Sequence, residues 1–381
     1  MLMLSDQRKD HIVSLLIAGH VQQQWMEYDI DSDLLTPADA WQMSIALPTS
    51  KDGQALSFKT VLKEGEKIKV QIGGETVLSG RLDACQHEVV KGSHRFTING
   101  RDDAAALLDC SAPVFVQRQS TMQEIVAKIV RPLGITKVVI HAEKTTKFEK
   151  VNVDPGDSAW DTLVHAAEAA GLWPWFEPDG TLVIGGPDYS TPPVDTLALR
   201  WNGRSNTLIR LSENRSISGR FSEVTVLGQT HGTETETGKN SLRGVAKDSQ
   251  VNWYRPKIVT DHEVDNSAVA QSRARKLLMD SRLTGYTLEA ELYGHRTQAG
   301  TLWKPGQRIR VISEPHGIDG VFFLMGRRFV LNRNDGPKTL LTLKEDAVWT
   351  LDALPHKRKH RKGKNGALGQ ILDIAKPSWQ Q

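Results

Sequence analysis

Cysteine is scarce in this chain: Cys85 and Cys110 are the only two in 381 residues, with no Cys-x-x-Cys pair and no neighbouring histidine cluster. A disulfide framework is therefore excluded as an organising device, and buried free thiols are the expected state. Long apolar runs are missing too, since no stretch approaches the roughly 20 residues needed to cross a bilayer. The one apolar stretch near the N-terminus, Ile12–Gly19, is short, and His20, Val21 and Gln22 after it make a poor cleavage site. A mature protein made and kept in a cytoplasm is expected, with no membrane insertion by this chain. Catalytic vocabulary is absent as well: no Walker A loop, no G-x-S-x-G elbow and no His-Glu-x-x-His. Of the 12 histidines, only His356 and His360 have the i, i+4 spacing of a helical metal site, and they sit in a basic tail. His87, His94 and His231 are expected in turns or loops, solvated. Asp102/Asp103 and Asp154/Asp157 lie at a strand end and before a helix, where capping explains them. No enzyme, no cofactor and no metal is the resulting expectation.

Charge of one sign is also lacking over the body of the chain. The formal net charge is +3, yet Lys357, Arg358, Lys359, Arg361, Lys362 and Lys364 form a run without an acid. Setting those six aside leaves 42 basic against 45 acidic residues, a body near −3. Basicity is a property of the tail, not of a groove spread over the fold. These six cations, with Trp379 two residues from the terminus, are the candidate partner-binding residues. The tail has three readings: a solvated segment disordered on its own, a phosphate contact, or docking onto an acidic partner.

What is present is an echo. Gly65-Glu66-Lys67-Ile68-Lys69-Val70 returns 241 residues later as Gly306-Gln307-Arg308-Ile309-Arg310-Val311. Each is a glycine turn feeding a strand in which Ile and Val alternate with cations, so the apolar residues share one face and the cations the other, solvated one. Gly80-Arg81-Leu82 and Gly320-Val321-Phe322 follow, then a turn glycine (Gly92, Gly336) and a closing strand, Phe96–Ile98 and Leu341–Leu343. Order and spacing agree over about 40 residues, the mark of an internal duplication.

At 381 residues, 39% hydrophobic and 24% charged, the chain is globular and too long for one core. Residues 1–112 read as five or six strands with glycine turns, a first small β-barrel ending in a short helical cap at Asp103–Leu108. Residues 113–190 change character to a small α+β domain. There Ser120 to Gln123 reads as a capping box, and Met122, Ile125, Val126, Ile129 and Val130 make a helix stripe. A second helix buries Trp160, Leu163, Val164 and Ala167, and a hairpin turns at Glu177–Gly180. Trp160, Trp173 and Trp175 could stack on sugar, but core packing explains them better. Residues 191–355 return to strands as a second β-barrel, with a helix over 265–280. Residues 230–248 read as a mobile loop with nothing to bury, and 356–381 as the basic, disordered tail, where Ala367–Ile374 could add a turn of helix. The fold class expected is thus β-rich α+β, two similar tube-type β-barrel domains with a small α+β domain between them.

The order of these motifs resembles the baseplate hub proteins of contractile-tailed phages, the phage Mu-like hub or late control protein group. The residues that carry the likeness are Gly65–Val70 with Gly80-Arg81-Leu82, Thr97–Asp102 running into Ala105–Cys110, Gly171-Leu172 with Asp179–Leu182, and Gly219–Ser222 with Val224–Gly228. The resemblance spans about residues 20 to 355. It implies a structural hub in the virion baseplate, assembled in the bacterial cytoplasm. Such a hub is a homotrimer whose two similar domains per chain give a pseudo-sixfold collar between tail tube protein and spike protein. Nucleic acid would meet it only by passage through the channel. Similar hubs occur in type VI secretion spikes. An alternative class is a cell-wall (peptidoglycan) binding tail component, because Asp154–Leu163 resembles the opening of a LysM glycan-binding repeat.

Overall fold

In the computed structural model, the described residues are 10–46, 62–91, 93–141, 147–153, 156–169, 172–228, 242–261, 267–332, 335–349, 351 and 371–373. Seven strands come first: β1 (Val13–Ile17), β2 (His20–Gln22), β3 (Glu27–Asp33), β4 (Ala40–Ala46), β5 (Lys67–Ile72), β6 (Glu75–Val90) and β7 (Ser93–Asp102). The alternation read in β5 is real: Ile68, Val70 and Ile72 are buried while Lys67 and Lys69 are exposed. Helix α1 (Ala104–Asp109) closes this part.

The middle of the chain is a separate packing unit. It holds β8 (Val116–Thr121), α2 (Met122–Val130), β9 (Lys137–Ile140), β10 (Lys147–Asn152), α3 (Ala159–Ala169), β11 (Trp173–Phe176) and β12 (Leu182–Gly185). Ile125, Ile129, Leu163, Ala167, Leu182 and Ile184 lie in its core. The capping box sits one residue later than the sequence reading has it: the Thr121 hydroxyl accepts from the Glu124 amide, and Glu124 reaches back to Thr121. Ser120 is unavailable as the cap because it is held in the β8 ladder opposite Phe148. The three tryptophans are dispersed. Trp160 is core, Trp173 leaves this unit to donate to the Leu34 carbonyl (2.7 Å), and Trp175 bonds Glu177 (3.2 Å).

Next come β13 (Thr196–Leu199) and β14 (Arg210–Arg215). The chain then builds a smaller layer of β15 (Glu223–Gly228), β16 (Leu242–Lys247) and β17 (Pro256–Thr260) beneath α4 (Ser267–Gly285). Part of the stretch read as a mobile loop is therefore strand. Leu242 and Ala246 are buried against Val224, Val226, Ala270 and Ala274, so there is apolar surface to bury after all. Gly244 makes the layer possible: a Cβ there would lie 2.1 Å from the Ala270 carbonyl carbon.

The last strands are β18 (Tyr286–Tyr293), β19 (Arg308–Ser313), β20 (Ile318–Asn332), β21 (Gly336–Glu345) and β22 (Ile371–Asp373). Within the tail, where helical turns were expected, β22 instead pairs antiparallel with the open edge of β9. Lys357, Arg358, Lys359, Arg361, Lys362, Lys364 and Trp379 lie outside the described residues, as do His356, His360 and Gly171. His87 and His94, expected in loops, stand on β6 and β7 with ring centroids 6.0 Å apart. Both cysteines are free, and Cys110 is exposed rather than buried.

The duplication holds in register. The first copy runs β3-β4-β7-β6-β5 and the second β14-β18-β21-β20-β19, all neighbours antiparallel. Across the first, Tyr28, Met43, Ile98 and Cys85 stand in one row, and across the second Leu211, Ala290, Leu341 and Arg327 do. Gly65 and Gly306 both turn at positive φ (82° and 92°) and donate to the Leu82 and Leu324 carbonyls at 2.7 and 2.8 Å. Bulges fall at equivalent places, Leu82/Ala84 and Leu324/Gly326.

Two separate closed barrels, however, are not formed among the described strands. The copies join into one 13-stranded sheet with one shared core, because β20 runs past its bulge and pairs with β3 of the first copy.

Gly244→Ala is expected to cost about 1–3 kcal/mol by forcing α4 off its layer, read as a lower urea midpoint. An unchanged midpoint would mean that helix and layer do not meet as described.

Candidate assembly interface

The candidate functional element is the contact that sets the two copies together. Long strands with a mid-strand bulge can serve two neighbours on one side, since the extra residue re-aims the edge. β20 does so: Arg308–Ser313 pairs with its first half, and Gly326–Leu331 pairs antiparallel with Tyr28–Asp33. At the bulge, a Cβ on Gly326 would come within 2.4 Å of an Asp33 carboxylate oxygen.

Ile30 and Phe329 face each other in the seam, fully buried. Beside them Arg327 is also buried, 3% exposed, with its guanidinium 4.0 Å over the Phe329 ring and Nη1 donating to the Ile30 carbonyl at 3.3 Å. A cation so enclosed needs negative field nearby. Asp31 and Asp39 supply it and favour the charged guanidinium, although burial still pulls its pKa down to about 10. Burial pushes the Asp39 carboxyl up to about 6, opposed by a Ser32 hydrogen bond and by Arg327. Burial, and then the like charge of Asp39, raises the Asp102 carboxyl well above its ordinary value. On the solvent side, Arg328 forks onto Asp29, with Nε donating at 2.7 Å.

A second polar knot closes the other end. Thr339 donates its hydroxyl proton to the Gly294 carbonyl (2.5 Å), so its oxygen accepts from His295 Nδ1–H (3.1 Å). His295 Nε2 then carries the lone pair and accepts from the Tyr28 hydroxyl at 2.7 Å. Burial first, then the positive charge of His11 and Arg327, lowers the imidazole pKa to about 3. His295 is thus a neutral bridge from the second copy to β3. Arg296 adds a third link, donating to the carbonyls of Asp10 (3.0 Å) and Ile72 (3.1 Å) and to Glu75 (2.6 Å).

The tail cations named from the sequence lie outside the described residues, and the seam residues are not among the sequence candidates. Their signal was present: Arg327 and Arg328 interrupt an otherwise apolar run from Val321 to Leu331.

Four family models match the chain in succession. They are the Mu phage baseplate assembly protein GpP-like N-terminal domain (residues 12–102), the baseplate hub protein gp44-like second domain (104–186), the tail protein NMB1110-like third domain (220–278) and a tail protein C-terminal domain (280–348). A tail protein of Neisseria meningitidis MC58 is 42% identical, with a TM-score of 0.80 over 90% of this chain and 99% of that one. The chain belongs to the Mu-like phage tail and baseplate hub proteins. The baseplate hub protein gp44 of Escherichia phage Mu is 27% identical over 375 residues, 95% of each chain. A 43 kDa tail protein of prophage MuSo2 from Shewanella oneidensis shares the fold at 22% identity, with a TM-score of 0.77 over 89% of this chain and 99% of that one. The stretch read as LysM-like falls within the hub second-domain match.

Because the His295 pKa is depressed in the fold, the stability it gives is full above the ordinary histidine value near 6.5 and is lost as pH falls towards 3. The stability gap between the wild-type protein and His295→Gln should therefore narrow by about 1.4 kcal/mol between pH 7.5 and 5.5. Urea unfolding at the two pH values checks this, and a gap that does not change with pH contradicts the buried neutral bridge.

Proposed function

We propose that this protein is the structural, non-enzymatic hub of a phage or prophage contractile tail, a homotrimeric ring that joins a hexameric tail tube to a trimeric spike. The observation that carries the reading is the matched pair of five-strand units, β3-β4-β7-β6-β5 and β14-β18-β21-β20-β19. A threefold object with two equivalent units per chain presents six near-equivalent footings, so a symmetry mismatch between stacked rings leaves no contact unsatisfied. Residues 1–112 and 191–355 would supply the collar, with residues 113–190 set beside it. The links from Trp173 to Leu34 and from Lys304 to Glu177 support that placement, since they tie the α+β unit to both copies.

The partners on this reading are a tail tube protein and a spike protein, with nucleic acid only passing through. Lys357, Arg358, Lys359, Arg361, Lys362, Lys364 and Trp379 would dock a neighbour. Assembly takes place in the bacterial cytoplasm and the product resides in the virion baseplate.

Light scattering of the full chain alone should give a mass of three copies of the 42.3 kDa chain, and with its tube and spike partners a larger mass that contains three copies of it. A persistent monomer in both conditions would remove the ring.

A further inference from the structure

The seam between the copies is used once inside the chain, yet the chain carries the parts for it twice. β6 is the counterpart of β20, and its half beyond the bulge, Ala84–Val90, pairs on one side with β7. No described strand pairs with its other side. That is the edge which in β20 receives β3. The counterpart of β3 is β14, which ends the sheet and pairs only with β18 among the described strands. Among the described strands, two unpaired edges, each the equivalent of one side of a contact already formed, thus remain on one molecule. Open edges of this kind are strongly adhesive. The β6 end also exposes Val89 and Val90 at 57% and 54%, large for β-branched residues in a strand.

We propose that the β6 end of one chain pairs antiparallel with β14 of a second copy and so repeats the β20·β3 seam between molecules. The proposal rests on the ring reading above and specifies its joint. The intrachain register transfers residue by residue. Arg327 opposite Ser32 becomes Cys85 opposite Arg215, and Leu331 opposite Tyr28 becomes Val89 opposite Leu211. The diagonal ion pair of Arg328 with Asp29 has its counterpart one step along, where Glu88 would stand diagonal to Arg210 with the charges exchanged. Arg210 is free to turn, because its side chain is 55% exposed and its contacts to Glu289 and Glu291 are long, 3.9 and 3.5 Å. The contact is head-to-tail, so each added copy leaves one edge of each kind open until a closed ring satisfies all of them.

Native Cys85 allows a direct test. Directly opposed residues of an antiparallel pair have Cα atoms about 4.5–5.5 Å apart, within disulfide reach. Arg215→Cys, made in the full chain with Cys110→Ser, changes a side chain that is 69% exposed. Mild oxidation should give disulfide-linked dimers and trimers on a non-reducing gel, lost when Cys85→Ser is added. In a second arm, Glu88→Arg should weaken self-association about fivefold, the scale of one surface ion pair, and Arg210→Glu added to it should restore it. Three-copy particles that sediment normally but form no disulfide would overturn this joint and leave the ring standing. Monomers without disulfide would overturn both.

Discussion

A strand edge in water must be paired, covered or charged, and the whole architecture follows from how one long strand meets that demand. β20 is 15 residues long and bulged at its middle, so it serves β19 with one half and β3 with the other. The centre of the contact between the two copies lies along it, in the Ile30–Phe329 contact, the enclosed Arg327 and the Arg328–Asp29 fork, and the Tyr28–His295 bridge and the Arg296–Glu75 pair add to it from beyond β18. Without that pairing each copy would be an open sheet with its own edge exposed. With it, the strands of both copies become one ladder of 11 strands, with β19 and β13 attached at the side of β20.

The seam is polar where a pure core would be simpler. A buried arginine with carboxylates near it adds little net stability over an apolar substitute, because desolvation offsets the attraction. What it adds is selectivity of register: a shift of β20 by one residue would turn Arg327 out and Arg328 in, away from Ile30 and Asp29.

Much of this was legible in the sequence and some was not. The glycine-led strands at Gly65 and Gly306, the helix stripe at Met122–Val130 and the hairpin around Gly180 were visible because each is local chemistry. The joining of two expected barrels into one sheet was not, since pairing partners nearly 300 residues apart leave no periodicity in either strand. Residues Leu242–Lys247 were misread because Gly244 and Ala246 look like loop composition until a helix is packed over them. The arginine pair at 327–328 was the one trace of the seam, charge placed inside an apolar strand.

The most direct test of the seam is hydrogen exchange of the backbone amides in Tyr28–Asp33 and Gly326–Leu331. If the two copies form one cooperative body, the protected amides of both segments exchange only through global unfolding, with the same free energy and the same denaturant slope as the shared core. Protection in either segment that is lost at a much lower free energy, while the strands behind it stay closed, would mean two independent units that merely touch.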